Sequence, residues 1–193
     1  MSLIIEPGHC ILYMKVGTHA KEPLPSIIKR KTKEIEDTGY AFWGYGGPTC
    51  HPRTMVQPFG QESERRGSVI YLCMEPMEST HFADQIRADE FSVDGFVWEA
   101  IPQSIGALGS RYALIISSLS EEEFELPLSR TKVALGNSAG ILGSTYIKGR
   151  VDKACLEIIN ETPPGSDPRK VDISLVAQLK KPYAVFLRNR RMP

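Results

Sequence analysis

The sequence predicts an α+β protein, one globular domain over residues 1–193, in which a mixed, mainly antiparallel sheet carries two or three packed helices. Three observations lead there. Strand-like segments outnumber helix-like ones. Two of them, residues 68–74 and 111–116, are apolar at consecutive positions, as strands covered on both faces are. Farther on, Val171, Ile173, Leu175, Ala177 and Leu179 alternate strictly, which is the period of a half-buried strand. The alternative architecture is an α/β sandwich. With 193 residues, 41% hydrophobic and 24% charged, the chain is long enough for one sizeable core and short for two.

Residues 10–16 read as a strand buried on one side, with Cys10, Leu12, Met14 and Val16 on one face and Tyr13 and Lys15 on the other. After the Gly17-Thr18-His19 turn, Leu24, Ile27, Ile28 and Ile35 share one stripe of a helix over roughly residues 26–37. Ser26 is its N-cap and Gly39 its left-handed stop. Lys29, Arg30, Lys31 and Lys33 then ride on the solvated side. Residues 68–74 form one central strand and 111–116 a second. Between them Ser79 caps a short helix whose Phe82, Ala83 and Ile86 share a face, followed by a strand over 96–101. Ser120 and Glu123 match a capping box that opens one more helical turn before Pro127. Residues 171–179 and 183–187 read as partner strands joined by a turn over 178–182. Flexible loops fall at 162–168 and 61–67. The small-residue cluster over 136–145 reads as a flexible or tightly packed connector, the alternative being that its successive amides wrap an anion, and Tyr146, Lys148 and Arg150 after it alternate like one face of a strand turned toward a ligand.

Lys+Arg and Asp+Glu both count 23, so no global field draws the protein to nucleic acid or an anionic membrane. The early apolar stretch over 10–16 is far below the roughly 20 residues that span a bilayer. No signal-peptide pattern opens the chain, so the expected compartment is the cytoplasm. Cys10, Cys50, Cys73 and Cys155 are scattered without a Cys-x-x-Cys pair, which predicts free thiols. His9-Cys10 and Cys50-His51 lack the spacer that lets both members hold one zinc ion. No motif names a metal or a cofactor.

The densest segment runs over residues 39–60. It holds five of the 16 glycines, five of the 16 aromatics and a Cys-His pair. Large apolar surfaces beside a free backbone suit a rigid, recessed loop. Gly46 and Gly47 would let the backbone approach a ligand, while Trp43 and Tyr45 would face a planar ring. The plainer alternative is that these rings fill the core. Gly-Tyr-Gly-Gly is not a phosphate loop, because no Lys-Ser/Thr follows. His51, Cys50 and His19 are the candidate catalytic groups, as base, nucleophile or proton carrier. Lys15 and Arg53 complete a composite anion site, with Arg53 gripping the anion bidentately. The function expected is therefore binding of a small nucleotide-like molecule or anionic metabolite. Catalysis by these residues would be that of a hydrolase or transferase. The competing expectation is a non-catalytic interaction module, in which the same rings form a hot spot for a partner or for self-association.

Overall fold

The computed structural model describes residues 4–78 and 84–191. Its sheet is built from β1 (Cys10–Val16), β2 (Ala41–Tyr45), β3 (Ile70–Pro76), β4 (Glu90–Ser92), β5 (Glu99–Ala100), β6 (Tyr112–Pro127), β7 (Thr131–Val133), β8 (Lys153–Ile158) and β9 (Lys170–Arg188). The strand order is β2-β6-β9-β3-β1-β8-β7, with the short β4–β5 pair attached to the C-terminal end of β9. Among the described residues only β1 and β3 run parallel, Leu12 opposite Leu72, and every other strand pairing is antiparallel. The helices are α1 (Leu24–Thr38), α2 (Gln57–Arg65) and the single turn α3 (Gly143–Tyr146). A π-helical turn, Pro52–Val56, leads into α2. The chain is thus one compact α+β domain with a mixed, mostly antiparallel sheet. Among the described residues no helix is long and apolar enough to cross a membrane.

Strand alternation sorts the core. Leu12, Met14, Trp43, Tyr45, Leu72 and Leu114 pack together under α1 and α2, whereas Ile11, Tyr13, Cys73 and Leu156 form a second cluster and Phe42, Ile105, Ile115 and Val185 a third. β1 is therefore buried on both sides, not one; Ile11 and Tyr13 are fully covered. The reason is that both faces are covered: Leu12 and Met14 pack in the cluster with Ile27 and Phe59, and Ile11 and Tyr13 pack on the opposite side with Leu126, Leu128 and Ile147.

Four local expectations are overturned, the first two by strand pairing. Residues 171–187 make one long strand rather than a hairpin, because both halves pair with the same neighbour: Leu179 opposes Ile116 and Ala184 opposes Leu114. The turn-like residues between them bulge out of the ladder, with Tyr183 at φ 74°. Ser120 and Glu121 lie in β6 against Val176 and Leu175, so the capping-box pattern opens no helix. Residues 61–65 belong to α2, where Glu62 bonds Arg65 and Arg66 at helical spacing. Tyr146 ends α3 and Lys148 and Arg150 lie beyond it, outside any strand.

Smaller departures have equally local causes. Phe96 and Val97 are exposed in a turn whose amides donate to the Asp94 carboxylate, leaving only Glu99–Ala100 as strand. The helix expected from Ser79 through Phe82 and Ala83 to Ile86 falls mostly on residues 79–83, outside the described residues; its last part, residues 84–86, is described and is not helical. Helix α1 starts two residues before Ser26, which therefore caps nothing, with prolines at its start. Gly39 closes it at φ 82°, its amide on the Ile35 carbonyl.

Candidate functional site

A cavity of about 520 Å³ opens where β1 and β3 end. Its walls are the residues after β1, the inner face of α1, the end of β2 with Gly46 and Gly47, the 106–110 segment and the 149–153 turn. The place has a topological reason. β1 and β3 are the parallel pair, and the Met77 amide, just past β3, bonds the Val16 carbonyl at the end of β1. Ligand crevices in sheets with helical crossovers open beyond such carboxyl ends. Gly44 in β2 keeps the wall closed: a β-carbon there would lie 2.3 Å from the Ser110 Oγ.

Helix α1 supplies the most unusual group. Ile27, Lys31 and Glu34 all lie on its buried face, so Lys31 is not part of a solvated basic run; its side chain is 3% exposed and that of Glu34 4%. Lys31 Nζ donates to Glu34 Oε2 at 2.9 Å and to the Gly106 carbonyl, while the Gly106 amide donates to Glu34 Oε1 at 3.0 Å. Arg30 grips Glu22 with two nitrogens, at 2.6 and 3.1 Å, and reaches Glu34 Oε1 at 3.1 Å. Only Lys29 and Lys33 keep the exposure expected of the run.

Burial pushes the Lys31 ammonium down to about 8 from an ordinary 10.5, against the upward pull of Glu34. Between those values the unfolded chain holds more of this proton than the folded one, so Lys31 makes stability rise with pH there. Buried thiols act in the opposite sense as pH passes their ordinary value of 9.0. Burial raises the Cys73 thiol, and the hydrogen bond with Cys50 followed by burial raises that of Cys155. They act alike in a Lys31→Met variant, so the difference between the two proteins isolates the lysine. Urea unfolding should show that difference moving by about 1 kcal/mol in favour of wild type between pH 7.5 and 9. A pH-independent difference would remove Lys31 from this role.

The sequence-derived candidates divide in two. Lys15, His19, Trp43, Tyr45, Gly46 and Gly47 all line the cavity. Trp43 and Tyr45 are 4% and 2% exposed, so they are wall and core together, and an interface made of exposed 42–45 rings is not what the fold presents. Lys15 stands opposite Glu75 on the parallel strand, and alternation turns its side chain to the Tyr13 side of the sheet.

Cys50, His51 and Arg53 lie off the cavity and apart from one another. Cys50 is buried with its Sγ 3.9 Å from Cys155 Sγ. The His51 ring stands edge-on to Tyr112 and Phe186, 5.5 and 5.4 Å between centroids, and its buried Nδ1 has no hydrogen-bond partner among the described residues. Arg53 is exposed, its guanidinium 5.6 Å from the Phe96 ring. The composite site of Lys15, His19, His51 and Arg53 is therefore not assembled. Adjacent side chains diverge where the chain turns into the π-helical segment, and the left-handed Cys50 (φ 56°) aims its thiol at β8.

His19 and Ser110 meet at the cavity wall, Nε2 to Oγ 3.3 Å, without forming a nucleophile and base. His19 Nε2 is 2.9 Å from the Leu108 carbonyl, which can only accept, so this nitrogen carries the hydrogen. Ser110 Oγ donates to the same carbonyl at 3.1 Å. Both protons point at one oxygen, and the pair ties residues 108–110 to the end of β1. Among the described residues no group of three or more His, Cys, Asp or Glu could hold a metal ion.

Sequence reasoning missed Glu22, Arg30, Lys31, Gly106, Ser110, Asp152 and Lys153. For Lys31 and Glu34 a signal existed, since they stand four and seven residues after Ile27 on the stripe it begins. Gly106, Ser110 and Lys153 carried none. They reach the cavity only through long-range pairing. Comparison with protein-family models, with curated proteins and with solved structures finds no match for the chain.

Proposed function

We propose that the chain is a binding protein for a small anionic ligand, a nucleotide-like molecule or another anionic metabolite, which enters the cavity at the ends of β1 and β3. One observation carries this reading: four cationic side chains, Arg30, Lys31, Arg150 and Lys153, border the cavity against two lining carboxylates, Glu22 and Asp152, with Glu34 behind Arg30 and Lys31. In a chain whose total charge is balanced, that local excess concentrates positive potential in a partly enclosed space, where it acts through a lower effective dielectric than water. The volume suits a molecule of nucleotide size. Trp43 and Tyr45 supply apolar wall, and Gly46 and Gly47 leave room for backbone approach. Binding is favoured over hydrolysis or group transfer because Cys50, His51 and Arg53 stand elsewhere.

The test is thermal unfolding with adenosine 5′-monophosphate, glucose 6-phosphate and succinate, coupled to amide resonance shifts at Gly46, Gly47 and Gly106. A ligand at a hundredfold excess over its Kd stabilises the native state by about 2.7 kcal/mol, which raises Tm by several degrees. At least one of the three should do so and shift the cavity amides. Unchanged melting together with silent cavity amides would end this reading.

A further inference from the structure

The two ends of the cavity differ in how their charges are spent. At the α1 end each cation already has its carboxylate: Arg30 is held bidentately by Glu22 and touches Glu34, and Lys31 is paired with Glu34. An oxyanion placed there would face two carboxylates. At the opposite end Lys153, at the start of β8, has a side chain only 4% exposed, yet its ion pair is with the sequence neighbour Asp152, Nζ to Oδ1 2.7 Å, whose own side chain is 50% exposed. An ammonium has three donors, and among the described residues this is the one hydrogen bond Lys153 Nζ makes. Its stem is fixed, since Lys153 opposes Met14 across the β1–β8 ladder and its Nζ lies 5.9 Å from the Tyr45 ring centroid. Gly47, at φ 89°, passes beside that nitrogen with no side chain in between; a β-carbon there would come within 3.7 Å. Arg150, also at this end, forms no ion pair among the described residues.

Resting on the anion-binding reading above, we propose that the oxyanion of the ligand is held at the Lys153 end of the cavity, and that Asp152 occupies Lys153 until the ligand displaces it. The exchange is physically balanced. Lys153 is buried and must keep a counter-charge, because an unpaired buried cation is costly. Asp152 is half in water and can be released to it at little cost. The incoming oxyanion takes over the Asp152 hydrogen bond, uses the two spare donors of Nζ, and gains Arg150 from the mouth. Asp152 is thus an internal competitor that lowers apparent affinity while keeping the empty site paired.

Inorganic phosphate and acetate serve as probes, titrated against the full chain and followed by amide resonances at Gly46, Gly47 and Ala154, with binding preferred for phosphate if the natural ligand is phosphorylated and for acetate if it is a carboxylate. Lys153→Met, which keeps the apolar stem, should weaken the preferred anion about tenfold or more, the worth of one charged hydrogen bond. Lys153→Arg should restore much of that loss, and Asp152→Ala should tighten binding several-fold. If Lys153→Met binds as tightly as wild type while cavity amides still shift, the anion sits elsewhere and this inference falls, but the anion-binding reading stands. If neither anion shifts those amides in wild type, both fall. Unchanged or weaker binding by Asp152→Ala overturns the displacement role. Should Lys153→Met fail to fold, the Asp152→Ala and Lys153→Arg titrations decide.

Discussion

Glu34→Ala is expected to destabilise the protein by about 3–5 kcal/mol, the cost of removing one partner from a buried ion pair. Glu34 is the point at which α1, the 106–110 segment and the cavity wall are joined. Its two oxygens receive Lys31, Arg30 and the Gly106 amide. Removing them leaves Lys31, at 3% exposure, with only a neutral carbonyl as acceptor, and leaves the Gly106 amide without its carboxylate. Lys31→Met should cost clearly less, because Glu34 then keeps both Arg30 and the Gly106 amide and a thioether stem refills the space. This asymmetry distinguishes a network centred on Glu34 from a simple pair, whose two halves would cost alike. Urea unfolding midpoints at constant slope provide the measurement. A loss below about 1 kcal/mol for Glu34→Ala would show that water or a neighbouring side chain replaces the carboxylate, and the pinned-loop account would be wrong.

Trp43→Ala should be comparably damaging, about 3–5 kcal/mol. The indole is 4% exposed on β2, a strand that among the described residues pairs on one side only, with β6. It packs in the cluster shared with Ile27 of α1 and Leu114 of β6, and its other side is cavity wall. Truncation would therefore remove the contact that holds α1 over the sheet and merge the void with the cavity. Because the existing cavity already lets solvent approach, collapse around the gap is limited and most of the transfer cost is felt. Size-exclusion behaviour should stay that of wild type. An altered oligomeric state with undiminished stability would instead make Trp43 an interface residue and revive the interaction-module reading.

Much of the frame was legible in local pattern. The consecutive apolar run around Ile70–Met74 marked a strand buried on both faces, and it lies at the centre of the sheet between β1 and β9. The stripe of Leu24, Ile27, Ile28 and Ile35 located α1, and Gly39 its end, because helical period and a left-handed stop are properties of adjacent residues. Errors arose where a local signal met a long-range partner. Residues 178–182 have turn chemistry, yet β6 runs past both halves and holds them in one strand. Ser120 and Glu123 resemble a helix start, yet Ser120 and Glu121 pair with β9 and Glu123 sits in the irregular stretch of β6 before the ladder resumes at Phe124. Charge in a basic run is usually solvated, but for Lys31 the position on the apolar stripe is the better guide, since Glu34, one turn on, makes its burial tolerable.

The candidate site shows the same division. Residues 43–47 were marked by composition, and they do border the cavity. Cys50, His51 and Arg53 shared that composition and point elsewhere, into β8, between Tyr112 and Phe186, and toward Phe96. Sequence by itself determined the α+β class, the main buried strands, the first helix and the loop that supplies one cavity wall, because period, capping and glycine content act over a few bonds. Only the tertiary structure decided that Lys31, Gly106, Ser110 and Lys153 belong to that same cavity. Their meeting depends on the parallel β1–β3 pairing and on loops closed over dozens of residues, and no short window of the chain records which distant side chain will neutralise, or leave open, a buried charge.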